Sequence, residues 1–119
     1  MAVRRIVPNV ATESVAALRD FYAALFALAV VMDHGWFVTL ANQHAAAIPQ
    51  IGIAREGGSG APVPAVSIEV DDVDATHARA VAMGLEIAYP LTDEPWGVRR
   101  FFVRDPAGTL LNVLAHRAD

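Results

Sequence analysis

"AVSIEVDDVDATHARAVAMGLEIAY", residues 65–89, reads in order as a strand, a cap, a helix, a stop and the start of another strand. "AVSIEV" is rich in β-branched residues, Asp72 or Asp74 is placed to cap "ATHARAVAMG", and Gly84 is placed to end that helix. Laid without a gap on residues 7–31, "VPNVATESVAALRDFYAALFALAVV", the segment superposes strand on strand, cap on cap and helix on helix, although few identities survive. In this earlier copy Thr12 and Ser14 are the candidate N-caps and Glu13 suits the helix dipole. Val15, Leu18, Tyr22 and Leu25 recur at helical spacing, with Phe21 and Phe26 widening the stripe, so one helix face is expected to be core.

The rest of each copy follows from this frame. After the first helix, "LAVVM" and "WFVTLAN" flank Asp33-His34-Gly35, which has the composition of a hairpin turn, and "AIPQIGIA" supplies a further strand. After the second helix come "LEIAYP", "VRRFFVRD", the turn Asp105-Pro106-Ala107-Gly108 and "TLLNVLAH". Between the copies, "REGGSGAPVP" cannot continue a helix or a sheet. The expectation is an α+β chain of two βαβββ modules in tandem within one domain, 1–119: module 1 about 1–56, a joint at 57–64, and module 2 about 65–119. A lone four-stranded sheet with one helix leaves a face uncovered, so the modules are expected to pack together around a concave sheet cavity.

Composition narrows the function. A net charge of −4 without a basic tract argues against nucleic acid as a partner. The absence of cysteine excludes disulfides, zinc–thiolate sites and thiol catalysis, and "MAVRRIVPNVATES" lacks the apolar core of a signal peptide, so a cytoplasmic location is expected. The longest apolar stretch, "AALFALAVVM", is too short to span a membrane, and no membrane partner is expected.

"FY" in the first helix, "IEVDDVDATHARAVAMG" opening the second module and "EPWGVRRFFVRDPAGTLLNV" closing it resemble the vicinal oxygen chelate superfamily of glyoxalase I, extradiol dioxygenases and bleomycin resistance proteins. The last stretch, and the start at Pro8-Asn9, are similar to bleomycin resistance proteins. The resemblance implies a divalent metal held by His, Gln or Glu on the first and last strands of each module. Carried over residue by residue, the first-strand positions fall on Val7 and Ala65, which bind no metal, and the glutamate of a DPxGxxxE pattern falls on Asn112, a poor ligand. The matching place in module 1 lies within "QIGIA" at Gly52, where Gln50 is the one oxygen-bearing side chain. His34, His44, His77 and His116 show no His-x-His or His-Glu-x-x-His spacing and read as surface or structural histidines. No metal, no cofactor and no catalytic residue are expected.

The candidate ligand contacts are Trp96 as a stacking wall over a planar ligand, Trp36 as a second wall or as packing, Phe102, Arg100 as a clamp, and Asn112, Asn9 and Gln50 as hydrogen-bonding amides. Alternation sends Arg99, Phe101 and Val103 to one face of their strand and Arg100, Phe102 and Arg104 to the other, and leaves open which set faces the cavity. Asp71, Asp72 and Asp74 read as capping residues and Asp105 as a turn former. Glu94, next to Pro95, is expected in an exposed loop within reach of a cationic ligand. The resemblance then implies a metal-independent binding protein that sequesters a planar or cationic small molecule as a homodimer. The competing readings are a glyoxalase-like lyase, isomerase or dioxygenase with atypical ligands, and a domain with a structural or regulatory role.

Overall fold

The computed structural model describes residues 2–42 and 48–117; the loop histidine His44 lies outside them. The element order is β1 (Val3–Ala11), α1 (Val15–Phe26), β2 (Ala29–Asp33), β3 (Phe37–Ala41), β4 (Gln50–Ala54), β5 (Val66–Val70), α2 (Val73–Ala82), β6 (Ile87–Asp93), β7 (Val98–Arg104) and β8 (Leu110–His116). This is the doubled βαβββ pattern. The ungapped internal superposition places both helix starts, Val15 and Val73, on each other, and does the same for the next strand starts, Ala29 and Ile87.

Two compact units form. One comprises Val7–Val63; the other takes the chain from Pro64 onward together with the residues up to Ile6. The first strand therefore contributes to both: Ala2 N–H donates to Asp71 Oδ1 at 2.7 Å, and Asp71 N–H returns a bond to Ala2 O at 3.0 Å. In the first unit the strand order is β2-β3-β4-β1, with β1 and β4 parallel (Asn9 opposite Gly52) and the other pairs antiparallel. In the second it is β5-β8-β7-β6, with β5 and β8 parallel (Ser67 opposite Asn112). A β-α-β-β-β chain closes this way because its first and last strands meet side by side in the same direction.

Each helix covers one face of its own strands. Against α1 pack Val38, Leu40 and Ile53, joined by Val15, Leu18 and Tyr22 from the helix; against α2 pack Phe101, Val103 and Val113, joined by Val73 and Ala80. The expected apolar stripe on α1 is narrower than its spacing suggests: Phe21, Leu25 and Phe26 are 56%, 61% and 56% exposed. Phe21 sits roughly a quarter-turn off the Val15-Leu18-Tyr22 line. Leu25 and Phe26 fall in the last turn, where the chain leaves through left-handed Ala27. Among the described residues no helix is long and apolar enough to cross a membrane.

Candidate functional site

The site is built from the strand face of the second unit that turns away from α2. Phe101 and Val103 belong to the α2 core, and Arg99 turns the same way to reach Asp74 of α2 at 2.9 Å and Asp93 at 3.1 Å. Alternation therefore sends Arg100 and Phe102 to the opposite face, which settles what the sequence left open. The register continues the rows across the sheet: Phe102 lies beside Asn112 and Asn112 beside Ser67, while Arg100 lies beside Leu114 and Leu114 beside Glu69.

The Trp96 hairpin adjoins this face. Glu94 N–H donates to Val98 O at 2.8 Å, Gly97 N–H to Glu94 O at 3.2 Å, and Gly97 adopts φ 92°, a conformation that favours glycine. Trp96, at the tip, stays half-buried. Arg100 places its guanidinium 4.9 Å from the Trp96 ring centre, 4.8 Å from Tyr89 and 4.7 Å from Phe102. Its Nη2 meets Glu94 Oε2 at 2.6 Å, and the Tyr89 hydroxyl donates to the same oxygen at 2.9 Å. Glu94 is thus not in an exposed loop as its Pro95 neighbour suggested: it is 3% exposed and its carboxylate already holds a cation from the same chain. Arg100 is engaged in turn, so the pair organises an aromatic cluster.

Asn112 stands where the resemblance puts a metal-binding glutamate. Its Nδ2 donates to Ser67 Oγ at 3.1 Å, while Oδ1 is buried without a hydrogen-bond partner among the described residues. Glu69, two residues after Ser67 on the same face, accepts from Arg5 Nε at 2.5 Å and lies 2.8 Å from His116 Nδ1. Burial alone would push the Glu69 carboxyl up, but the His116 hydrogen bond and the charge of Arg5 together bring it below its ordinary value.

The first unit repeats the geometry with less polarity. Asn9, Gly52, Thr39 and Gln50 fall on the face opposite the α1 core, by the register of β1, β4 and β3. A Cβ on Gly52 would come within 2.2 Å of Asn9 Oδ1 and 2.9 Å of Phe37 Cε2, so glycine is required by the close approach of the amide and the ring. Trp36 sits in the β2–β3 turn, its ring 6.2 Å from His34 and 5.8 Å from Phe37. Asn9 and Gln50 therefore share one face in this unit, whereas Trp96, Phe102, Arg100 and Asn112 share one in the other. A separate depression of about 500 Å³ at the N-terminus of α1, lined by Ser14, Val15, Arg19, Asp33 and Arg55 among others, contains none of the expected contacts.

The donor set does not fit a divalent ion at the places the fold family uses. Val7 is buried and apolar, Ala65 has no donor side chain, and Asn112 offers one amide oxygen. Among the described residues no three His, Asp or Glu side chains converge to hold a metal.

Tyr89, Ser67, Glu69 and Arg5 were not singled out by sequence reasoning. Ser67 carried a signal, since the internal repeat lays it on Asn9. Tyr89 carried none: register shifts on either side of it move it onto the Phe102 face, although Ile87, two residues earlier, belongs to the α2 core.

The paired modules, each with parallel first and last strands, define a class. The chain belongs to the glyoxalase/bleomycin resistance protein/dioxygenase superfamily, whose model matches residues 5–113. Over 108 residues it is 36% identical to the anthracycline biosynthesis protein DnrV of Streptomyces peucetius, covering 89% of this chain and 39% of that protein's length. Among solved structures it is similar to methylmalonyl-CoA epimerase of Streptomyces coelicolor, with a TM-score of 0.73 and 18% identity, over 98% of this chain and 100% of the other. It is also similar to a Legionella pneumophila protein described as an NAD-dependent benzaldehyde dehydrogenase, with a TM-score of 0.75 and 16% identity, over 95% and 100% of the two chains. At such identity these two likenesses concern the fold alone, and their differing names show that this fold does not dictate one chemistry.

Proposed function

We propose that the chain is a metal-independent small-molecule binding protein that takes a planar ligand on the Trp96 face of its second module. The observation that carries this reading is Asn112. A buried acceptor without a donor costs about 1–3 kcal/mol, and its setting beside Ser67 and Phe102 suits an incoming O–H or N–H. Half-buried Trp96 supplies flat apolar surface on this side of the sheet, with buried Phe102 behind it beside Asn112, and the named relationship to an anthracycline biosynthesis protein points to polycyclic aromatic compounds as the ligand class. Sequestration of a drug such as bleomycin is the form this takes in the resistance proteins that the sequence resembles. The neutralisation of Glu94 by Arg100 favours planarity over positive charge as the selected feature. A cytoplasmic homodimer is part of the proposal; exposed Phe21, Leu25 and Phe26 on α1, with Val30 and Val31 on β2, offer apolar surface for a second copy.

Replacing the amide tests this. Asn112→Leu is expected to keep the fold within about 1 kcal/mol, because the lone acceptor goes with the residue. It is expected to weaken binding of an anthracycline, whose chromophore reports its own capture by fluorescence, by roughly five- to tenfold or more. Unchanged affinity in a folded Asn112→Leu variant would contradict the assignment of this face.

A further inference from the structure

His116 adjoins the same face. It pairs across the sheet with Val98, the residue that follows the Trp96-Gly97 tip, and the next residue along, Arg117, donates its N–H to Gly97 O at 2.9 Å. The ring is half-exposed, with 53% of the side chain open to solvent, while Nδ1 is held 2.8 Å from Glu69 Oε2. Glu69 is only 14% exposed, and its other oxygen is held by Arg5. The carboxylate is therefore fixed from two sides. A carboxylate against Nδ1 sets the tautomer with its proton on Nδ1 and leaves the Nε2 lone pair turned outward to accept a proton.

The other charges around this pair are accounted for. Arg5 faces it from β1. Arg117, beyond the end of β8, donates to Glu94 O at 3.2 Å and lies 3.8 Å from Asp93. Arg99 of β7 is turned to the other face, on Asp74 and Asp93.

We infer that Glu69 and His116 form a metal-free acid–base site for an enolisable aromatic ketone lying against Trp96. This inference rests on the reading that the Trp96 face binds a small molecule, and adds a reaction to it. His116 Nε2 takes a proton from the carbon next to the carbonyl. The C–H electron pair becomes the enolate double bond and the negative charge moves to the carbonyl oxygen. The imidazolium then returns its proton to carbon, giving exchange or inversion there, or to oxygen, giving the enol. No oxidant, reductant or metal is consumed. Glu69 stays a carboxylate throughout and Arg5 acts as a positioning residue. Asn112 lies four residues earlier on β8, roughly 13 Å along the strand, a span that suits a ligand of several fused rings bonded at one end and deprotonated at the other.

The test uses the full, chelator-treated chain in deuterium oxide with 2-tetralone, a bicyclic aromatic ketone. Loss of the methylene proton signals by NMR gives the exchange rate, and quenching of tryptophan fluorescence gives binding separately. The expected result is exchange well above that of an equal concentration of free imidazole, reduced about 10²-fold or more by His116→Gln. Glu69→Gln is expected to lower the rate and to change its pH profile, which loss of a merely structural contact would not do. Exchange no faster than imidazole, or equal exchange by folded His116→Gln, overturns the inference whether or not quenching occurs. Absent quenching counts separately against the binding reading.

Discussion

Arg100 and Glu94 face each other across 2.6 Å with 3% of each side chain exposed, inside a shell of Tyr89, Trp96 and Phe102. Two charges taken out of water hold together because each neutralises the other, and the Tyr89 hydroxyl adds a further bond to the carboxylate. Removing one partner leaves a buried charge. Arg100→Met is therefore expected to lower the unfolding free energy by about 3–5 kcal/mol in urea titration, and pairing it with Glu94→Leu is expected to recover a good part of that loss. A single variant as stable as the parent would contradict the buried pair. The same residues fix the hairpin that presents Trp96, so binding should weaken along with stability. Little of this arrangement was legible in the letters. Pro95 and Gly97 mark a turn correctly, but a turn composition does not tell whether the hairpin stands in solvent or folds onto the sheet, and the bulge that turns Tyr89 inward has no period of its own.

At the scale of elements, the two helices start alike in pattern and unlike in chemistry. Asp72 Oδ1 accepts from Ala75 N–H at 3.0 Å, a side-chain cap on α2. Ser14 makes no such bond; its own N–H donates to Thr12 Oγ1 at 2.9 Å, and no acid lies in the first turn of α1. Asp72→Ala is accordingly expected to cost about 1 kcal/mol, whereas Ser14→Ala should stay within about 0.5 kcal/mol, both by chemical denaturation. An equal cost at the two positions would show that the caps do not differ as described. The repeat frame was legible because strand, cap and glycine stop recur at one displacement. What pattern could not supply was the quality of each cap or the extent of helix burial. Those depend on side-chain rotamers and on where a helix leaves its sheet, as exposed Phe21, Leu25 and Phe26 demonstrate.

For the whole molecule, family membership fixes the fold, and the residues of this chain decide the chemistry. Val7, Ala65 and Asn112 stand where the resemblance places metal ligands; the first two offer no donor atom, and Asn112 bonds to Ser67. The chain spans 39% of the length of DnrV, so that protein's complete activity is not carried over with the similarity. What this module holds by itself is half-buried Trp96 against the Arg100 cluster and Asn112, whose Oδ1 is buried without a hydrogen-bond partner among the described residues. The most direct measurement is a titration of the metal-stripped chain with an anthracycline in excess chelator, followed by tryptophan fluorescence, and repeated with zinc, nickel, manganese or iron(II) in place of the chelator. The account predicts saturable quenching of the same affinity in every case; quenching that is lost in chelator and restored by one of the metals would contradict it.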